Sequence, residues 1–330
     1  MRAAFIHTPG PVENIEVGDL PAPIPGPQQA LVRVRAASLN PIDTYVRSGL
    51  VAMELPQPFI LGCDLAGEVV EVGAEVHDLQ PGDRVWGSNQ GLLGRQGTFA
   101  EYAAVDRQWL YPVPPSISFE TAAATALVGL TAQMGLEEYA QLQAGETLLV
   151  SGASGAVGST VLQIAKARGA RVIAVTGGAE KVEYCRSLGA DEAIDYCHHN
   201  VAQELAKIAS DGVEAWWETS RSPSLETAIH ALKRHGRLIL MAGRDARPEF
   251  PIGPFYVKCL KAMGFVMFLE SPETQRRAAM EVNRLLESGQ LKTHIDRIAT
   301  LDATAELHHL QHEHTVLCER PLTGKIVVTP

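Results

Sequence analysis

Apolar and polar positions alternate along the first third of the chain. Ala30 to Ala37 sets arginines against apolar residues at a period of two, which predicts a half-buried strand. Leu65 to Val72 predicts another, broken by Gly67 and Gly73. Pro81-Gly82-Asp83 is a turn into Arg84-Val85-Trp86, and Gly97 to Val105 resumes the strand pattern. Pro21 to Pro27 is a stiff connector. These features predict a compact, mainly β domain. From about Ser118 the period changes, and Thr121 to Glu138, rich in alanine and leucine, predicts a helix. Strand and helix signals then alternate at 147–151, 159–168, 171–176, 180–188, 192–196, 200–209, 213–218, 224–234 and 237–242. Ala262 to Phe268 adds a last apolar strand. Such alternation predicts parallel strands with crossover helices, an α/β doubly wound sheet. Gln275 to Leu286 is an amphipathic helix; short strands, a helix near 302–311 and a strand at Gly324 to Val328 close the chain. The predicted organisation is a mainly β domain from 1–122 and 270–330, interrupted by a doubly wound domain at 123–269. Substrates of such proteins bind between the domains, beyond the carboxyl ends of the sheet strands.

The most informative stretch is Leu148 to Gly158, an apolar run ending in a small-residue turn. An amphipathic segment from Ser159 to Arg168 and the strand Arg171 to Thr176 follow. Strand, tight turn and helix in this order make a pyrophosphate cradle, because small residues admit the phosphates and a helix N-terminus offers free N–H groups. Gly155 and Gly158 match the second and third glycines of G-x-G-x-x-G, and Ala153 replaces the first. Ser154, Gly155, Ala156, Val157 and Gly158 are therefore candidate cofactor residues. An NAD site places an acid at the tip of the following strand. This chain has Thr176-Gly177-Gly178 there, with Lys181 next and Tyr196 ending the next apolar run. A missing acid beside a cation favours a 2′-phosphate, hence NADPH; Glu180 is the opposing feature.

Composition narrows the class. A chain of 330 residues can hold two cores, and no apolar run is long enough to cross a bilayer. No charged-then-apolar segment opens the chain, so the expected location is cytoplasmic. The formal charge of −10 disfavours nucleic acid as a partner. Five scattered cysteines, none in a C-x-x-C pair, fit reduced thiols. His308-His309-Leu310-Gln311-His312-Glu313-His314 invites a metal, but its polar neighbours favour a solvated face. Trp216 and Trp217 are expected in the core or at an interface.

Ser38 to Gly49, Leu61-Gly62-Cys63-Asp64-Leu65-Ala66-Gly67, Pro81 to Val85, the Ser154–Gly158 turn and Leu322-Thr323-Gly324-Lys325-Ile326 occur in order along the chain. Together they resemble the zeta-crystallin-like NADPH:quinone oxidoreductases of the medium-chain dehydrogenase/reductase superfamily. The resemblance implies a GroES-like β domain beside a Rossmann domain, and hydride transfer to a small-molecule quinone or α,β-unsaturated carbonyl. It implies that Asn40, Asp43 and Tyr45 line the substrate side of the nicotinamide, although Asp43 has an alternative role in holding a turn or pairing with Arg47. It carries cofactor contacts onto Thr131, Gly243, Arg244, Phe265 and Arg320. Zinc alcohol dehydrogenases of the same superfamily have a Cys where this chain has Asn40 and a His where it has Cys63, so no zinc is expected. Close relatives carry a Tyr where this chain has Val51, which shifts the expectation toward a smaller enal or enone. The resemblance also implies a homodimer joined along the edge strand 262–268. Alternatives are an NADH-preferring or secondary-alcohol oxidoreductase, and a nucleotide-bound structural or RNA-binding protein with little turnover.

Overall fold

The computed structural model describes residues 1–314 and 324–330. The chain starts with β1 (Arg2–Ile6), β2 (Glu16–Asp19) and β3 (Gln29–Leu39), then α1 (Pro41–Ser48). β4 (Phe59–Ile60), β5 (Asp64–Val72), β6 (Arg84–Gly87), β7 (Tyr102–Asp106) and β8 (Leu110–Pro112) follow, then α2 (Phe119–Met134), which continues as a π-helical turn over Gly135–Tyr139. β9 (Thr147–Ser151), α3 (Ala156–Ala167), β10 (Arg171–Thr176), α4 (Ala179–Ser187), β11 (Glu192–Asp195) and α5 (Val201–Ile208) alternate regularly. So do β12 (Val213–Glu218), α6 (Leu225–Ala231), β13 (Leu232–Leu240), α7 (Ile252–Val257) and β14 (Lys261–Met263). The chain closes with α8 (Pro272–Glu287), β15 (Ile295–Thr300), α9 (Thr304–His312) and β16 (Lys325–Thr329).

Two compact units result. The first comprises Met1–Val128, Glu270–Asn283 and Thr293–Pro330. Its main sheet runs β15-β16-β3-β5-β6-β8, with β7 also paired to β3, and a small antiparallel sheet runs β2-β1-β4. The pairing of β3 with β5 shifts register at Leu31/Val32 and Val34/Ala36. The second unit comprises Gly129–Leu269 and Arg284–Lys292. Its six strands are parallel, in the order β11-β10-β9-β12-β13-β14. The direction of winding reverses between β9 and β12, where Ser151 lies opposite Glu218, which marks a topological switch point at the carboxyl ends. One face of this sheet packs Leu149, Ile173, Trp216 and Leu238 against Leu205 and Ile229 of the flanking helices. Trp216 and Trp217, adjacent on β12 and so on opposite faces, are both buried, as in a parallel sheet covered on both sides.

Three expectations need correction. The apolar segment 262–268 is not one strand: β14 ends at Met263, and Met267–Leu269 forms a helical turn. Phe265 stacks on Tyr139 at 4.4 Å and meets Trp217 edge-on at 6.4 Å, a packing that takes the chain off the sheet. β14 is nevertheless the edge strand. The helix expected at 224–234 stops at Ala231, and the chain enters β13 directly, with His235 at φ 66° in an irregular stretch. His308 does not lie on a solvated face. It is fully buried, on a stripe with Thr304, Leu307 and Gln311, and its ring meets Phe99 edge-on at 6.0 Å. Burial pushes its pKa down to about 3, so it is neutral at physiological pH.

Candidate active site

The nucleotide turn is built by backbone before side chains. Gly152, at φ 76°, reverses the chain after β9, and its N–H and that of Ala153 both donate to the Val175 carbonyl. Gly155 caps α3 without a side-chain capping bond, and the first helical bond is Ser159 N–H to the Gly155 carbonyl. The N–H groups of Ala156, Val157 and Gly158 therefore lie in the first turn, where a helix has no internal acceptors for them. A β-carbon on Gly158 would stand 2.2 Å from the Gly152 carbonyl oxygen, so only glycine permits this approach. Ser154 Oγ lies 2.6 Å from Thr176 Oγ1, tying the turn to the tip of β10. This cradle fits the pyrophosphate of a dinucleotide.

At the tip of β10, Tyr196 folds over Gly177, whose β-carbon would lie 2.7 Å from the phenol ring. Lys181 is in the first turn of α4, with Glu180 exposed beside it. A carboxylate from the next strand reaches this tip but bonds to its backbone. Asp195, opposite Thr176, accepts from Gly178 N–H at 2.8 Å. That amide and then the His198 ring hold its carboxyl down, at about 2. Gly243, at φ 73°, and exposed Arg244 lie in the loop after β13. Thr131 is buried on α2, and the Phe265 ring is engaged in the aromatic stack. Arg320 lies outside the described residues.

In the first unit, Asn40, Asp43, Cys63, Asp64 and Lys325 form one buried cluster. Asn40 precedes Pro41 at the start of α1, and its N–H donates to Asp43 Oδ2 at 2.7 Å, closing the first turn. Its amide Nδ2 donates to Asp64 Oδ2 at 2.7 Å, and to the Ser38 carbonyl at 3.2 Å. Cys63 Sγ lies 3.3 Å from the same Nδ2. Asn40 Oδ1 accepts from Lys325 Nζ, which also donates to the Leu39 carbonyl at 3.1 Å. Leu127 N–H reaches Asp64 Oδ2 at 3.3 Å. The Asn40 amide is thus fully engaged within the protein. Asp43 holds a turn, as one reading of the sequence allowed, but it makes no pair with Arg47, which donates to the Gly10 carbonyl. Tyr45 is half-buried on α1, and its carbonyl accepts from Val51 N–H at 3.1 Å. Lys325, quoted in the closing motif but assigned no role, is the residue the sequence reading missed.

Burial pushes the Asp43 carboxyl up from 3.8 to about 7; the Asn40 N–H opposes the rise and the Asp64 charge adds to it. Burial also raises Asp64 and lowers Lys325, and their mutual attraction opposes both shifts. Because the folded value of Asp43 is raised, its contribution to stability is full below 3.8 and is lost as pH rises through about 7. Asp43→Asn keeps an oxygen for the Asn40 N–H. It is expected to flatten the fall in urea midpoint across that window, and an unchanged pH profile would count against the shift.

Comparison with known proteins agrees with this geometry. Residues 26–115 match the family profile of the alcohol dehydrogenase GroES-like domain, and residues 156–283 match that of zinc-binding dehydrogenase. A quinone oxidoreductase of Pseudomonas aeruginosa is 33% identical over 100% of this chain and 99% of its own. The chloroplastic NADPH-dependent alkenal/one oxidoreductase of Arabidopsis thaliana is 33% identical, over 92% of this chain and 72% of its own. The crystal structure of Escherichia coli quinone oxidoreductase complexed with NADPH superposes over 100% of both chains, with a TM-score of 0.87 and 25% identity. With a doubly wound sheet, a glycine cradle and full-length relatives in place, the chain belongs to the zeta-crystallin-like quinone oxidoreductases of the medium-chain dehydrogenase/reductase superfamily.

Proposed function

We propose that the chain is a zinc-independent reductase that uses NADPH to reduce quinones or α,β-unsaturated carbonyls. The observation that carries the cofactor choice is the tip of β10. Thr176-Gly177-Gly178 has no carboxylate of its own, Asp195 is spent on the loop, and Tyr196 and Lys181 flank it. When bound there, NADPH would supply a hydride to the acceptor, which would take up one proton besides. The chain's own contribution is placement. The first turn of α3 holds the pyrophosphate, and the Ser154–Thr176 contact fixes that turn against β10. Asn40 and Asp43 act as positioning residues that set the start of α1, and through it the backbone carrying Tyr45 toward the substrate. Among the described residues no group of three His, Cys, Asp or Glu is placed to hold a metal ion, and the local cation is the Lys325 ammonium. No helix of the described residues is long and apolar enough to cross a membrane.

Lys181→Ala is expected to weaken NADPH roughly ten- to hundredfold while sparing NADH, the cost of one charge-assisted phosphate contact. Equal losses for both cofactors in a fluorescence titration would remove Lys181 from this role. We further propose a homodimer through the β14 edge. Val266 and Leu269 after it, and Ile252, Tyr256 and Val257 of α7, are exposed apolar residues of this unit. Light scattering at micromolar concentration is expected to give twice the chain mass, and Val266→Lys to shift it toward the monomer. A monomeric wild type, or an unaffected variant, would rule out this interface.

A further inference from the structure

Asp195 closes the tip of β10 with both of its oxygens. Oδ1 accepts from Gly178 N–H at 2.8 Å and Cys197 N–H at 3.0 Å, and Oδ2 lies 2.7 Å from His198 Nδ1. The carboxylate is therefore not presented to a ribose hydroxyl in the manner of an NAD site. It instead orients an imidazole. The His198 side chain is 72% exposed and tethered at one ring nitrogen. With Nδ1 turned to the carboxylate, Nε2 faces outward, and a doubly protonated ring donates from both nitrogens. Asp195 faces the ring at 2.7 Å and His199 follows it in sequence, while Glu180 and Lys181 stand in the first turn of α4, just after the Gly178 N–H that Asp195 also holds.

We propose that His198, oriented by Asp195, is a specificity-determining residue of cofactor selection that adds a donor for the 2′-phosphate to those of Lys181 and Tyr196. This rests on the NADPH reading above. The pair also answers an electrostatic problem. A bare carboxylate at this tip would repel a phosphate, whereas Asp195 is turned to two backbone N–H groups and to the His198 ring. His198→Gln removes the imidazole that Asp195 orients, whereas Asp195→Asn removes the carboxylate that orients it.

The test is calorimetric titration with 2′,5′-ADP and with 5′-ADP, two probes that differ only in the 2′-phosphate. His198→Gln is expected to weaken 2′,5′-ADP roughly three- to tenfold, the scale of an exposed charge-assisted contact, and to leave 5′-ADP unchanged. A second readout uses Cys197, exposed on the same loop: 2′,5′-ADP is expected to slow its alkylation and to leave exposed Cys259 unaffected. His198 is exposed, so the variant is expected to unfold at the wild-type urea midpoint. Unchanged affinity for 2′,5′-ADP, or equal losses for both probes, would overturn the proposal. Failure of the NADPH reading itself would look different: the wild type would bind 5′-ADP as tightly as 2′,5′-ADP.

Discussion

Lys325→Met is expected to destabilise the protein by about 3–5 kcal/mol, the cost of stripping one partner from a buried ionic cluster. Lys325 is 4% exposed, and its ammonium lies among Asn40, Asp64, Asp43 and Cys63. Methionine fills similar volume, so the loss is one of charge and hydrogen bonds and not of packing. Without the cation, Asp64 keeps its bonds from Asn40 and Leu127 but has no opposite charge within the cluster. Lys325→Met combined with Asp64→Asn is therefore expected to recover part of the loss, because the second change removes the uncompensated carboxylate. Urea unfolding of the two single variants and the double measures this coupling. Additive losses would show that Lys325 and Asp64 do not act as a unit.

Gly158→Val is expected to weaken binding of NADPH and NADH alike. The new β-carbon would lie 2.2 Å from the Gly152 carbonyl oxygen and 2.9 Å from Ala153 Cα, both backbone atoms that no rotamer change can move aside. Overpacking of this kind costs about 1–3 kcal/mol, which here opens the cradle and lowers affinity roughly ten- to hundredfold for both cofactors. That common loss separates it from Lys181→Ala, whose effect depends on the 2′-phosphate. A Gly158→Val protein that binds both cofactors normally would show that the turn is not the pyrophosphate site.

The cradle was legible because its signal is local. An apolar run, a small-residue turn and a helix stand within about a dozen residues, and backbone geometry allows few other outcomes. Lys325 was not legible, because its partner Asn40 is 285 positions away and only the sheet brings them together. Asp195 escaped for a related reason: the sequence locates strand tips but does not reveal that an acid from one tip reaches the backbone of its neighbour. His308 was misread because its polar neighbours obscured a helical stripe running through Thr304, Leu307 and Gln311. The segment 262–268 has strand composition, yet stacking of Phe265 on Tyr139 outweighs that preference. The resemblance supplied Asn40, Asp43 and Tyr45 as a group. The structure separates them into two buried, hydrogen-bonded residues at the start of α1 and one half-buried aromatic further along it.

The most direct measurement is steady-state oxidation of NADPH and of NADH by a panel of quinones and enones, with and without a zinc chelator. Turnover with at least one acceptor class, a higher kcat/KM with NADPH than with NADH, and no effect of chelation are expected. Turnover confined to NADH with a ketone or secondary alcohol, activity lost on chelation, or no turnover with any acceptor despite bound NADPH would contradict this expectation.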